Sequence, residues 1–226
     1  MKSFKKHVDD IKQRIMIKKY QFYSLPKHWK YMFILQNPKE DKKELQKVLK
    51  RKTWKGRIGS YRTSFKYWIK SDRPEFFDKF LRTVGKSTNG FFKEFYITDC
   101  YKKDKSKWEG GKKGKEERRD MEDILKNEIF HCKPTIIFLF GGMAWEFFKK
   151  NAREYNLNTK DKKNLKKTIK DAHGHLFWFK LNKNNSDIYL IPLIHFSGSA
   201  YNSAPRESYH DYLEEGFTQY KKRARN

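Results

Sequence analysis

The chain has 226 residues, with 53 Lys or Arg against 27 Asp or Glu, for a formal net charge of +26. Aromatic residues make up 17% of it, which excludes a disordered polycation, because disorder goes with few aromatics. Two cysteines, Cys100 and Cys132, exclude a disulfide framework and any all-cysteine zinc or iron–sulfur site within one chain.

The elements follow in chain order. Residues 1–29 read as a charged N-terminal helical extension with no apolar core of a signal peptide. The run Tyr31 to Leu35 is short and wholly apolar, as a buried strand is. Residues 40–50 set Leu45, Val48 and Leu49 at helical spacing. Residues 74–84 set Phe76, Phe77, Phe80, Leu81 and Val84 on one helical face, with Pro74 in the first turn and Gly85 as the stop. A strand at 95–98 follows, and then a lysine- and glycine-rich segment, 101–115, reads as a basic mobile loop carrying Trp108. Residues 116–130 put Met121, Ile124, Leu125 and Ile129 on one face of a helix. A buried strand at 135–140 ends at Gly141-Gly142, and a helix is expected over 144–155. Strands at 175–181 and 188–194 are joined by a turn at 182–186, and a helix over 206–223 closes the chain.

No repeat and no Pro- or Ser-rich linker divides the sequence, so 1–226 reads as a single domain. Strands alternating with helices argue for an α/β fold whose parallel sheet is covered on both faces. Ligands of such folds bind beyond the carboxyl ends of the strands. Those positions hold Gln36-Asn37-Pro38-Lys39-Glu40-Asp41, Asp99-Cys100, Gly141-Gly142 and His195-Phe196-Ser197-Gly198-Ser199. The charge points to a polyanion, since Lys and Arg neutralising phosphates dominate nucleic-acid binding. An AT-rich genome inflates Lys and Asn but does not create the basic excess. No segment pairs a basic face with a clean apolar one, and the run 135–145 is too short to span a bilayer, so no membrane partner is expected. A cytoplasmic monomer is the expectation.

These segments, in this order, resemble the uracil-DNA glycosylase superfamily over roughly residues 30–220. The first motif, Gly-x-Asp-Pro or Gly-x-Asn-Pro, is matched by Leu35-Gln36-Asn37-Pro38. The middle motif, a strand ending in Thr-Asn or Leu-Asn, is matched by the strand ending Thr98-Asp99. Pro134 through Gly141, with Ala144, matches the Pro-x-x-Ile-x-x-x-Gly strand, and His195-Phe196-Ser197 matches His-Pro-Ser. The resemblance implies a three-layer α/β/α fold on a central, mainly parallel four-stranded sheet. It implies a DNA glycosylase that flips a nucleotide out of the duplex and hydrolyses its N-glycosidic bond without cofactor or metal. His195 is then the donor to the departing base and Asn37 the orienter of water. Glu40 or Asp41 is a further candidate at the water. Gln36, Asp99, Lys39, Tyr61 and Phe65 fall to base recognition. Ser197, Ser199 and Ser203 fall to the phosphates, with Tyr201 as the wedge filling the vacated stack.

Departures from the pattern bear on the substrate. The uracil-reading Asn is replaced by Asp99, and an ionised carboxylate only accepts hydrogen bonds. It suits the exocyclic amine of cytosine, whereas a protonated Asp99 would still serve uracil. Lys39 replaces the Tyr that blocks ring position C5 in the narrow uracil enzymes. Together they point to a C5-modified cytosine, such as a hydroxymethylated or glucosylated one in viral DNA, and so to antiphage defence. Two alternatives stand: a uracil or deaminated-base repair enzyme, and a non-catalytic nucleic-acid-binding module. A basic RNA-binding protein is a third. Phe196 for Pro and Leu35 for Gly carry no substrate inference. His173-Gly174-His175 reads as a turn before a strand rather than a metal site, and Cys100 and Cys132 as packed thiols.

Overall fold

The computed structural model of the chain describes residues 30–36, 74–86, 95–101, 110–151, 168–179, 187–195 and 206–224. Five strands form one sheet: β1 (Tyr31–Leu35), β2 (Phe95–Asp99), β3 (Ile136–Phe140), β4 (Phe177–Phe179) and β5 (Ile188–Leu193), in the order β2-β1-β3-β5-β4. The first three and β5 are mutually parallel, and β4 pairs antiparallel to β5. The parallel core thus has the four strands expected, and the short β4 adds a fifth at the edge. Pro192 in β5 has no N–H for a ladder, and its carbonyl instead accepts from Gly174 N at 2.9 Å.

Strand alternation deals the apolar runs to two cores. Tyr31, Phe33, Leu35, Phe138, Phe140, Ile191 and Leu193 face α1 (Pro74–Val84) and α5 (Arg206–Arg223). Met32, Ile34, Ile137, Leu139 and Leu190 face α2 (Gly111–Cys132) and α3 (Gly142–Lys150). The sheet is therefore buried on both faces, which is why its strands read as continuous apolar runs rather than alternating ones. On the first face Phe80 stands edge-on to Phe33 at 5.3 Å and to Phe138 at 5.0 Å between centroids. Along α5, Tyr209, Leu213, Phe217 and Tyr220 form the buried stripe.

Helix α1 has the expected bounds. It closes with Lys86 N–H on Leu81 O and Gly85 N–H on Arg82 O, the pair of bonds that ends a helix at a left-handed residue. Helix α2 begins earlier than its apolar pattern, at Gly111. The last five residues of the expected 101–115 loop are therefore its first turn and a half, where lysines beside glycines concealed the start. Helix α3 ends at Lys150, short of the expected Tyr155. The one-turn α4 (Ile169–Ala172) was not foreseen, although Thr168 and Asp171 form a reciprocal capping box that the sequence displays. The expected helix 40–50, Trp108, the turn 182–186 and the N-terminal extension 1–29 lie outside the described residues.

Candidate active site

Parallel pairing brings the carboxyl ends of β1, β2, β3 and β5 to one edge of the sheet. Leu35 lies opposite Asp99, and Phe140 opposite Leu193. Gln36, Asp99, Gly141 and His195 consequently share that edge, along a row of three inter-strand spacings, about 14 Å. The chain leaves β1 for β2 on one side and β3 on the other, so the topological switch falls between β1 and β3.

Gln36 occupies the switch. Its side-chain Oε1 accepts from Met143 N at 3.2 Å, in the first turn of α3. Its carbonyl accepts from Tyr101 N at 3.1 Å, just past β2. One residue thereby ties β1 to the exits of both neighbours. Gly141 is required beside it for two reasons. Its φ of +92° is disfavoured for residues with a Cβ, and a Cβ there would overlap the Gln36 side chain.

Asp99, the last residue of β2, is 1% exposed. By strand alternation it falls on the Ile97 side of the sheet. On the other side Tyr96 Oη and Thr98 Oγ1 donate to Glu128 Oε1 and Oε2, both at 2.9 Å. Glu128 projects from α2 and is buried. Burial first, and then the Glu128 carboxylate, push the Tyr96 phenol well above its ordinary range, so it stays protonated and donates. A second glutamate of α2, Glu122, accepts from Lys150 Nζ at 3.1 Å and hydrogen-bonds Tyr101. Tyr101, too, is pushed up, mainly by burial. Neither glutamate was foreseen as a support for β2. The signal was present, because Glu128 sits inside the apolar stripe of Leu125, Ile129 and Cys132.

His195 is half-buried, two residues past the last paired residue of β5. The peptide groups of Ile194 before it are held at both ends. Its N–H donates to His173 Nδ1 at 3.4 Å, and its C=O accepts from Tyr209 Oη at 2.7 Å. The His173 ring packs 4.4 Å from Tyr209 and 5.5 Å from Tyr212, centroid to centroid. Gly174, at φ +77°, permits this, since a Cβ there would strike the backbone of α5 at Tyr212. Burial is the largest cause holding His173 down to about 4, opposed by the nearby Pro192 backbone and reinforced by His175 and His210. At neutral pH His173 is uncharged, as an Nδ1 acceptor must be. The His173-Gly174-His175 segment is thus a turn that braces β5. Among the described residues no group of three or more His, Cys, Asp or Glu is placed to hold a metal. Cys100 and Cys132 are buried free thiols.

Of the sequence-predicted residues, the structure brings Gln36, Asp99 and His195 to one edge. Asn37, Lys39, Glu40, Asp41, Tyr61, Phe65, Ser197, Ser199, Tyr201 and Ser203 lie outside the described residues. No helix among the described residues is long and apolar enough to cross a membrane.

No match was found among curated proteins. The family model described as the uracil DNA glycosylase superfamily, a superfamily of DNA glycosylases, matches residues 22–215. That span takes in every strand and all but the last turns of α5, with Gln36, Asp99 and His195 at their strand ends, and the chain belongs to the uracil-DNA glycosylase superfamily.

Proposed function

We propose that the chain is a DNA glycosylase whose substrate is a C5-modified cytosine, hydroxymethylated or glucosylated, and that it acts against viral DNA. The observation that carries the substrate is Asp99, a carboxyl 1% exposed at the end of β2, where the family's uracil readers have Asn. An ionised carboxylate there would accept a hydrogen bond from the exocyclic amine of cytosine. Lys39, in place of the blocking Tyr, supports room or a polar contact at C5.

In this reading the flipped nucleotide enters over the switch point between β1 and β3. His195 donates a hydrogen bond to the base O2, and Asn37 aligns a water with its side-chain carbonyl. The N-glycosidic bond breaks with its electron pair going to the base. The water oxygen bonds to the sugar C1′, and the water's proton goes with the leaving base. Because Asn takes no proton, the stabilised leaving base carries more of the catalysis than the water does. No cofactor takes part.

An excision assay tests this with one labelled oligonucleotide carrying cytosine, uracil, hydroxymethylcytosine or glucosylated hydroxymethylcytosine at a single position. It is run single- and double-stranded, with abasic sites read by alkaline cleavage. Cutting confined to the modified cytosines is the expected result. Cutting of uracil alone would make the chain a repair enzyme, and binding without any cutting would make it a non-catalytic module. Asp99→Asn should shift preference toward uracil, and unchanged selectivity would remove Asp99 as the base reader.

A further inference from the structure

We propose that the amino edge of the sheet, opposite the candidate active site, is a second nucleic-acid contact surface that holds the phosphates of a separate duplex segment. The proposal rests on the reading of this chain as DNA-binding but not on which base it excises. Parallel strands and the helices returning between them put the start of β1 and the carboxyl ends of α1 and α5 at this edge. Lys30 and Lys86 lie over the Tyr31 ring, at 5.4 and 5.8 Å from its centroid. Tyr220 of α5 packs 5.1 Å from Tyr189 near the start of β5, centroid to centroid, which places the end of α5 at this edge. From there Lys221 lies over Phe217 at 4.7 Å, and the Arg223 guanidinium stacks 3.6 Å from the Trp178 centroid. Arg223, Lys222, Gln219, Trp178 and Leu176 line an open groove of about 380 Å³.

Lys30, Lys221 and Arg223 lie over rings. Among the described residues no carboxylate lies within ion-pairing distance of Lys30, Lys221, Lys222 or Arg223. Asp187, ahead of β5, shares this edge and pairs with none of the four. The dipole of a helix carboxyl end favours cations and accounts for part of the pattern. It does not account for Lys30, which precedes a strand, or for the Arg223–Trp178 stack that walls the groove. Cations fixed over aromatic faces, with their outer sides open, suit a phosphate backbone, and the half-buried Trp178 adds an aromatic surface. A five-residue strand separates the two edges by about 17 Å. A straight duplex lying along the active-site edge therefore does not reach the amino edge, and the ligand there is a second segment.

The test uses the full chain, one biotinylated duplex and a separate fluorescent duplex. The wild type should co-capture the fluorescent duplex on streptavidin. The double variant Lys222→Glu/Arg223→Glu should still bind one duplex but lose most co-capture. The milder Lys222→Gln/Arg223→Gln should lose an intermediate amount, with thermal unfolding checking that each variant folds. The salt dependence of long-duplex binding should flatten by roughly 2 in log–log slope, one for each phosphate that the two replaced cations no longer neutralise. Equal co-capture and slope in wild type and variants would overturn the proposal. So would binding of anionic phosphatidylserine vesicles at this edge without co-capture. A wild type that binds one duplex but never two overturns this inference alone, whereas a wild type that binds no DNA overturns the DNA-binding reading with it.

Discussion

The exits of β2 and β5 solve the same problem with different parts. Asp99 is still inside the ladder, opposite Leu35, and Cys100 N donates onward to Leu35 O at 2.8 Å. Its backbone is fixed by the sheet, and Glu128 braces the opposite face of β2 by accepting from Tyr96 and Thr98. His195 lies beyond the ladder. Gly141 N to Leu193 O, at 2.8 Å, closes the strand, and the buried Ile194 peptide groups would otherwise lack partners. There the supports reach the backbone itself, from the His173 turn and from Tyr209 on α5. A residue within a sheet has its main chain held by the ladder, and a residue past a sheet must have it held by other groups. One brace is a carboxylate behind the sheet, and the other is a neutral imidazole and a phenol.

The largest expected effect tests the carboxylate brace. Glu128→Ala leaves two buried hydroxyls without an acceptor and opens a cavity, at a cost of about 3–5 kcal/mol. Glu128→Gln keeps the shape and one acceptor and should cost about half as much. The check is the urea midpoint at constant m-value. A cost for Glu128→Ala no larger than that for a single lost hydroxyl would erase the distinction between the braces. Between the two exits, Gly141→Ala should cost about 2–3 kcal/mol through its positive φ and its overlap with Gln36. Adding Gln36→Ala should return part of that cost, because it removes the overlap but not the φ strain. Strict additivity in the double-mutant cycle would show that the two side chains do not meet.

How much of this was legible follows from the same contrast. Apolar runs and helical stripes gave all five strands and the bounds of α1 and α5, because burial writes itself into period and length. The carboxyl-edge location follows from topology, which points to the segments after each strand, and the family resemblance singles out Gln36, Asp99 and His195 within them. The braces were not foreseen. Glu128 was hidden in an apolar stripe, where a carboxylate looks like a lapse in pattern until a Tyr and a Thr on a distant strand are seen to face it. His173 was read as a turn, which it is. Its bond to Ile194 joins residues 21 apart, and no local pattern carries a pairing of that range. The start of α2 was missed because Gly110, Gly111 and Gly114 weigh against a helix that tertiary packing imposes.

Tyr209→Phe sharpens the comparison from the other exit. It removes one hydroxyl and leaves the Ile194 carbonyl without that donor, for about 1–2 kcal/mol. Under the proposed role of His195, single-turnover excision should fall by more than duplex affinity does, because the backbone before His195 loosens while the DNA-binding surface remains. Equal losses in both would make Tyr209 a support of the fold only.

A pH dependence also separates the braces. His173 and His210 are both held down to about 4, chiefly by burial, from the ordinary 6.5. Between those values the unfolded chain takes up protons that the folded chain refuses, so stability falls as pH drops from about 6.5 to 4 and levels off below. Each such histidine contributes a slope of at most about 1.4 kcal/mol per pH unit. His173→Asn keeps an acceptor for Ile194 N–H and cannot titrate. It should lower the slope of stability against pH by up to one proton over that window and leave the slope above pH 7 unchanged. Urea midpoints measured across the window read the difference directly. An unchanged slope would mean that His173 takes its proton in the folded state, and a protonated Nδ1 could not serve as the acceptor that holds the backbone before His195.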